Sequence, residues 1–229
     1  MTSRPTDPDL RLEELSAELG PSAVLRPADG LDAYQRPARG PGGPALAVVR
    51  PASTGQVREV LAWARRHAVR VIPQGANTGL VGASVPPERG GRVVVLSTER
   101  LTSGLELEPV DRAAVAPAGL RLSALDAAAE PHGLWFPIDL AADPALGGMV
   151  ATNTGGARML RHGDVRRRVL GVEAGVADDD LSVLSDLTTL RKDNTGPDLS
   201  ALFVGSCGAF GVVTRVAVEL SHRPAERSC

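Results

Sequence analysis

The sequence predicts an α+β chain in two lobes, a small α/β lobe leading into a larger α+β lobe. One observation is a strand-helix-strand run: the apolar stretch Ala45 to Val49, a helical pattern from Ser53 to about His67, then the β-branched run Val69 to Ile72. Such a run reads as a right-handed crossover between parallel strands. A second observation is the change of character after Leu96, where short strands pair around turns and the helices are brief. The third is Val71 to Pro86, VIPQGANTGLVGASVP, a strand that opens into a polar, glycine-rich loop. Open α/β sheets bind ligands at strand carboxyl ends, so this loop stands where a ligand is expected.

Leu12, Leu15 and Leu19 recur at helical spacing between carboxylates, which predicts a short amphipathic helix over Leu10 to Leu19, ended by Gly20 and Pro21. Leu31 to Pro44 reads as a loop. Its Gly40, Gly42 and Ala45 spell a dinucleotide-binding spacing, but the motif precedes a strand and contains Pro41 and Pro44, so it is set aside. Ser53 with Gln56 three residues later is a capping box, and Val57, Val60, Leu61 and Ala64 form the apolar stripe that follows. Arg92 to Leu96 is a further apolar strand.

Beyond it, Leu105 to Leu107 and Ala113 to Ala116 pair as a hairpin across Pro109 to Arg112. Leu120 to Ala129 is helical, with Leu122, Leu125 and Ala129 on one face. Asp143 before Pro144 predicts a helix start, a capping carboxylate followed by a first-turn proline. Val169 to Ala174 and Leu181 to Leu184 bracket the acidic turn Asp178 to Asp180. The loop Leu190 to Asp198 leads to a short helix, Leu199 to Val204, capped by Asp198. Val212 to Leu220 is a late, largely buried strand, and Ser221 to Cys229 is a polar tail with no further element.

The composition narrows the function. A chain of 229 residues with 43% hydrophobic residues and a formal net charge of -2 has no basic excess to attract nucleic acid. No apolar run approaches a membrane span, and the amino terminus lacks the apolar centre of a signal peptide, so a cytoplasmic protein with no transmembrane segment is expected. The two cysteines, Cys207 and Cys229, are too few for a disulfide framework, with Cys207 read as a small buried side chain. The four histidines are scattered as lone surface residues without ligand spacing, and no metal site is expected.

Three glycine-rich stretches carry the chemistry. The first, with Gly75, Gly79 and Gly82, has the residues from which successive backbone amides form an anion-binding concavity. The second is Pro137 to Gly156, PIDLAADPALGGMVATNTGG, and the third holds Gly205, Gly208 and Gly211. Taken singly, each also fits ordinary turn geometry.

Taken together, they resemble a known family. The stretches IPQGANTGLVG at Ile72 to Gly82, LGGMVATNTGGARMLRHGDVRRRVLG at Leu146 to Gly171, LRKDNTGPDL at Leu190 to Leu199 and FVGSCGAFGVVT at Phe203 to Thr214 are similar to the flavin-binding domain of the vanillyl-alcohol oxidase and para-cresol methylhydroxylase (PCMH-type) superfamily. Within it they resemble the D-lactate, glycolate and D-2-hydroxyglutarate dehydrogenase branch, over almost the whole chain.

The resemblance implies a PCMH-type FAD-binding domain over residues 1–222, with lobes at about 20–98 and 99–222, FAD between them and a tail at 223–229. It implies that Pro73, Gln74, Gly75, Ala76, Asn77, Thr78, Gly79 and Leu80, with Ser84, wrap the pyrophosphate. Pro137, Asp139 and Leu140, then Gly147, Gly148, Ala151, Thr152, Asn153, Gly155 and Gly156, would line the flavin and ribityl chain. Val212 and Val213 would meet the adenine end, and side chains of Asn77, Thr78 and Asn153 would add hydrogen bonds. Arg191 or Lys192 is a candidate to stabilise the charge of the reduced flavin. Some relatives hold FAD covalently through histidine or cysteine; neither occurs in Pro73 to Pro86 or Pro137 to Gly156, so non-covalent FAD is expected.

The implied function is oxidation of a D-2-hydroxy acid to the 2-oxo acid by hydride transfer to flavin N5, with reoxidation by an acceptor such as a quinone, flavoprotein or cytochrome. Relatives carry the catalytic base and substrate pocket in a second domain, so no catalytic residue is assigned in this chain, and truncation or a partner-supplied domain is expected. Pro197 stands where relatives often have tyrosine, and Cys207 where they often have an acidic or hydroxyl residue. The alternative is a non-catalytic FAD-binding subunit of a multi-subunit oxidase. A third, an NADPH-dependent sugar-nucleotide reductase of the same fold, is opposed by RKDNTG through resemblance alone.

Overall fold

The computed structural model describes residues 8–225, with side chains from residue 12 onward; Cys229 and the end of the polar tail lie outside the described residues. The elements in chain order are α1 (Pro8–Leu19), β1 (Val24–Leu25), α2 (Asp32–Gln35), β2 (Ala47–Val49), α3 (Thr54–Arg66), β3 (Arg70–Gln74), β4 (Val93–Ser97), β5 (Glu106–Glu108) and β6 (Ala113–Pro117). They continue with α4 (Leu122–Ala129), β7 (Leu134–Trp135), α5 (Leu146–Thr152), α6 (Met159–His162), β8 (Val169–Gly175), β9 (Val183–Ser185), α7 (Ser200–Phe203), β10 (Val212–Glu219) and β11 (Ser221–His222).

The first sheet has the order β1-β2-β4-β3, with β2 and β3 both parallel to β4 and β1 antiparallel at the edge. The crossover through α3 therefore joins parallel strands, but they are not neighbours: β4, arriving later, lies between them. Alternation along the strands gives the sheet two apolar faces. Ala47, Val49, Val94 and Leu96 pack with the stripes of α1 and α3, whereas Val48 and Val95 pack with Leu31 and Ala45 on the other side. Each fully buried valine or leucine in such a core contributes about 1.5–3 kcal/mol. Half of the capping box at the start of α3 forms as its letters predict, Ser53 Oγ accepting from Gln56 N at 3.2 Å; the Gln56 side chain reaches one residue further back, accepting from Ala52 N at 2.7 Å.

The second sheet is antiparallel, ordered β5-β6-β10-β8-β9. Its strands β6, β8 and β10 bury Ala114, Ala116, Val172, Ala174, Val216 and Val218 against α4, α5 and α7 in a separate core. Both predicted hairpins are present, β5 with β6 and β8 with β9.

Four expectations need correction. Leu31 to Pro44 is not all loop, because Asp32–Gln35 forms a helical turn. Asp143 does not cap the helix that follows it; α5 starts after Ala145, and Asp143 instead accepts from Ser123 N at 2.9 Å and Ser123 Oγ at 2.7 Å, in the first turn of α4. Its cap is tertiary, and sequence adjacency is no guide to it. The polar tail begins with an element, β11, paired with β7. Cys207 is exposed, not buried; it lies in a turn with φ 53°.

Candidate functional site

A cavity of about 510 Å³ lies between the two sheets, within the size range of ordinary ligand sites. Its walls come from the carboxyl end of β3 and the loop beyond it, from α5, and from the turn that leads into β10. The β3 strand ends at Gln74 because a polar loop must leave the sheet there. Gln74 is only 2% exposed, and its side-chain amide donates to Tyr34 O at 2.9 Å and to Ser84 O at 2.6 Å. One side chain thus ties the start of the loop to its end and to α2. Burial, reinforced by the Glu99 carboxylate that accepts its hydroxyl, pushes the Tyr34 phenol up from its ordinary pKa.

Asn77 has φ 53°, a left-handed conformation that asparagine tolerates better than most residues. Its Nδ2 donates to Ala33 O at 3.1 Å and Arg36 O at 2.8 Å, and its Oδ1 accepts from Ser84 Oγ at 3.0 Å. Side chains therefore shape the loop from behind, while the backbone is left for the cavity. None of the backbone amides from Gly75 to Ser84 donates to another described residue. The amide of Gly148, in the first turn of α5, is likewise without an acceptor among the described residues. Gly148 stands opposite Gly75: a Cβ built on Gly148 would lie 3.9 Å from Gly75 Cα. Two glycines let strand end and helix start approach closely. Gly147 beside it packs inward, where an added Cβ would lie 2.6 Å from Ala118 Cβ.

Among the residues lining the cavity, Cys207 has the one ionisable side chain. The wall offers no carboxylate, imidazole, ammonium or guanidinium, so its donors for an anion are neutral, the loop amides chief among them. This donor set fits a diphosphate and includes no carboxylate or imidazole to act as an acid or base catalyst.

Pro73 to Leu80, Ser84, Leu140, Gly147, Gly148, Ala151, Thr152, Val212 and Val213 all line the cavity. Pro137, Asp139, Asn153, Gly155 and Gly156 do not. Pro137 is buried, and Asp139 pairs with Arg158 at 2.9 Å beside a neighbouring polar hollow. Asn153 caps α5 at φ 48°; its Nδ2 donates to Asp164 Oδ2 at 3.0 Å and its Oδ1 accepts from Arg166 N at 2.9 Å. Gly156 passes so close to Asp139 that a Cβ would lie 2.6 Å from its carbonyl oxygen. The expected hydrogen bonds from the Asn77 and Asn153 side chains to a ligand are thus committed elsewhere, whereas Thr78 donates to no described residue. Arg191 borders a different hollow, of about 320 Å³, and is paired with Glu219 at 2.7 Å; Lys192 is exposed and lines neither.

The cavity also includes residues not singled out from sequence, among them Val81, Ala141, Ala145, Met149 and Thr98. Most lie within the three glycine-rich stretches, whose extent was the available signal. Thr98 does not. It comes to the site because β4 runs parallel to β3 and ends beside it, Thr98 N donating to Gln74 O at 2.9 Å.

Comparison with known proteins agrees with this geometry. Residues 45–185 match the family model described as "FAD binding domain". A mitochondrial D-2-hydroxyglutarate dehydrogenase of Bos taurus is 41% identical over 184 residues, covering 80% of this chain and 33% of that protein. A D-2-hydroxyglutarate dehydrogenase of Stutzerimonas stutzeri (strain A1501) is 36% identical over 222 residues, covering 96% and 47%. The chain spans between a third and a half of the length of these curated relatives. Among solved structures, an alkyldihydroxyacetonephosphate synthase has the same fold, with a TM-score of 0.82 at 19% identity over 99% of this chain and 42% of that one. Phl p 4.0202, a glucose dehydrogenase, gives 0.77 at 18% identity over 93% and 44%.

Proposed function

Because the chain belongs to the FAD binding domain family, we propose that it is the cofactor-holding part of a flavin-dependent oxidoreductase that converts a D-2-hydroxy acid to the 2-oxo acid. FAD is the family's cofactor, and the observation that best supports a place for it is the run Gly75 to Ser84, which lines a ligand-sized cavity between two sheets and whose amides donate to no other described residue. On this proposal those amides and that of Gly148 hold the pyrophosphate, Gln74 and Asn77 keep the loop in its binding shape, and Val212 and Val213 supply an apolar wall. Bound flavin supplies the acceptor for a hydride taken from the carbon that bears the hydroxyl group. The division into lobes at about 20–98 and 99–222 belongs to the same proposal, supported by the two separate cores.

The hydroxy-acid substrate is supported by relatives whose names state D-2-hydroxyglutarate dehydrogenase activity. The cavity lining contains no carboxylate, imidazole or amine, so on this proposal the base comes from chain outside the residues matched here or from a partner subunit. Non-covalent attachment, reoxidation by a quinone, flavoprotein or cytochrome, and a cytoplasmic location are further parts of the proposal. Among the described residues no helix is long and apolar enough to cross a membrane. Titration of the purified chain with FAD, followed by flavin fluorescence and by retention of the yellow colour through denaturing gel filtration, tests cofactor and linkage together. Saturable binding with release on denaturation is expected; absence of binding would refute the proposal.

A further inference from the structure

We propose that Glu173 is a positioning residue for the cavity, its carboxylate tying the start of α3 to the start of β10 and so fixing the gap between the two sheets; this rests on the FAD assignment above. Glu173 Oε1 accepts from two threonines of different elements, Thr54 Oγ1 at 2.7 Å and Thr214 Oγ1 at 2.6 Å. Thr54 opens α3, which packs on the first sheet, whereas Glu173 and Thr214 belong to adjacent strands of the second. One carboxylate oxygen therefore joins the two halves. It sits at a helix start, where the macrodipole also favours negative charge.

The other end of the tie is a bulge. In the β10-β8 ladder Val213 faces Ala174 and Arg215 faces Glu173, so Thr214 has no partner of its own on β8. A bulge redirects the side chains around it. Val212 and Val213, in regular register just before the bulge, point to opposite faces and so belong to different cores, Val212 to the one built on α3 and Val213 to that of the second sheet, and both border the cavity. Thr214 is 1% exposed, and its hydroxyl is oriented by Glu173. Gly175, two residues along β8, lies against Val57 and Leu61 of α3, so the seam is closely packed around the tie. Removing the Thr54 hydroxyl leaves both sheets and the packing of Gly175 on α3 in place and loosens the seam at the tie, beside the cavity wall.

The test compares Thr54→Val, Thr54→Ser and Glu173→Gln with Leu15→Ala, a core change in α1 away from the seam. T54V is expected to raise the Kd for FAD roughly tenfold, the effect of losing a hydrogen bond to a charged group, and E173Q, whose amide oxygen can still accept from both threonines, is expected to raise it less. T54S, which keeps the hydroxyl, is expected to restore it. L15A is expected to lower the melting temperature at least as far while leaving the Kd within about threefold. FAD binding by T54V at parental affinity, failure of T54S to rescue, or equal weakening by L15A would each overturn the proposal. Hydrogen exchange of the ligand-free chain reads the tie without cofactor: T54V should accelerate the first turn of α3 and residues 213–215 together, and unchanged rates at both would overturn it. If the parent chain bound no FAD, the functional proposal would fall and the exchange rates would still decide the tie.

Discussion

Replacing Gln74 by Leu tests how the loop is held. The side chain is buried and makes two hydrogen bonds, to Tyr34 O and Ser84 O. Leucine keeps most of the volume and removes both donors. At a net 0.5–1.5 kcal/mol for each neutral hydrogen bond, the loss is about 1–3 kcal/mol. If it fell on global stability, the melting temperature of a chain this size would drop by about 2–12 °C. The loop from Gly75 to Ser84 makes no backbone hydrogen bonds as donor to the rest of the described protein, so the loss is expected to appear as loop disorder that FAD must repay on binding. The Kd should then rise roughly 5- to 150-fold, with a melting shift at the small end of the range. Fluorescence titration with FAD and differential scanning calorimetry on the same preparations measure the two quantities. A Q74L protein that binds FAD within about twofold of the parent would refute the clamp.

Other expectations follow from single contacts. Asp143→Ala removes the cap of α4 and should cost about 0.5–2 kcal/mol, visible as a lower melting temperature, with FAD affinity unchanged. Gly147→Ala puts a Cβ 2.6 Å from Ala118 Cβ, and overpacking of this kind should cost about 1–3 kcal/mol in a thermal melt. In a Cys229→Ser background, iodoacetamide should alkylate Cys207 readily, and saturating FAD should slow the reaction, as followed by mass spectrometry, because the thiol is exposed and borders the cavity. Burial raises the Asp126 carboxyl above its ordinary pKa, although the Phe136 amide it accepts works the other way. A carboxyl whose folded pKa is raised binds its proton more readily in the folded state, so its contribution is greatest below the unfolded value and is lost as pH rises through the folded one. The stability of the parent relative to Asp126→Asn should therefore fall as pH rises above the ordinary carboxylate range, measured by urea denaturation across a pH series.

Much of this molecule was legible from local pattern. The stripe of α3, its Ser53–Gln56 cap, both hairpins and the three glycine-rich stretches depend on spacing within one segment, and spacing is what a sequence displays. What escaped depends on pairing across distance. Asp143 looks like a cap for the next helix, yet the amide it serves is at Ser123, and only the folded chain brings them together. Asn77 and Asn153 lie in glycine-rich stretches with left-handed backbone, and their side chains hydrogen-bond to protein partners that local spacing does not display. Arg191 lay in a motif associated with the site, but Glu219 and the Asp111 carbonyl hold it elsewhere. Glu173 had no sequence signal at all: its partners lie 119 and 41 residues away.

The strand order β2-β4-β3 also bears on how the molecule forms. The middle strand, β4, is the last of the three to leave the ribosome, and β2 and β3 each pair with it and not with each other. Until Val93–Ser97 is made, the parallel part of the sheet has no partner strand for either side, and the segment from Gly75 to Arg92 must close before the pairing can begin. Closing it brings Ser97 level with Gln74 and puts Thr98 N on the Gln74 carbonyl. Pairing of β4 with β3 therefore also makes the contact at the base of the Gly75 to Ser84 loop, and a nascent chain that stops short of β4 has neither.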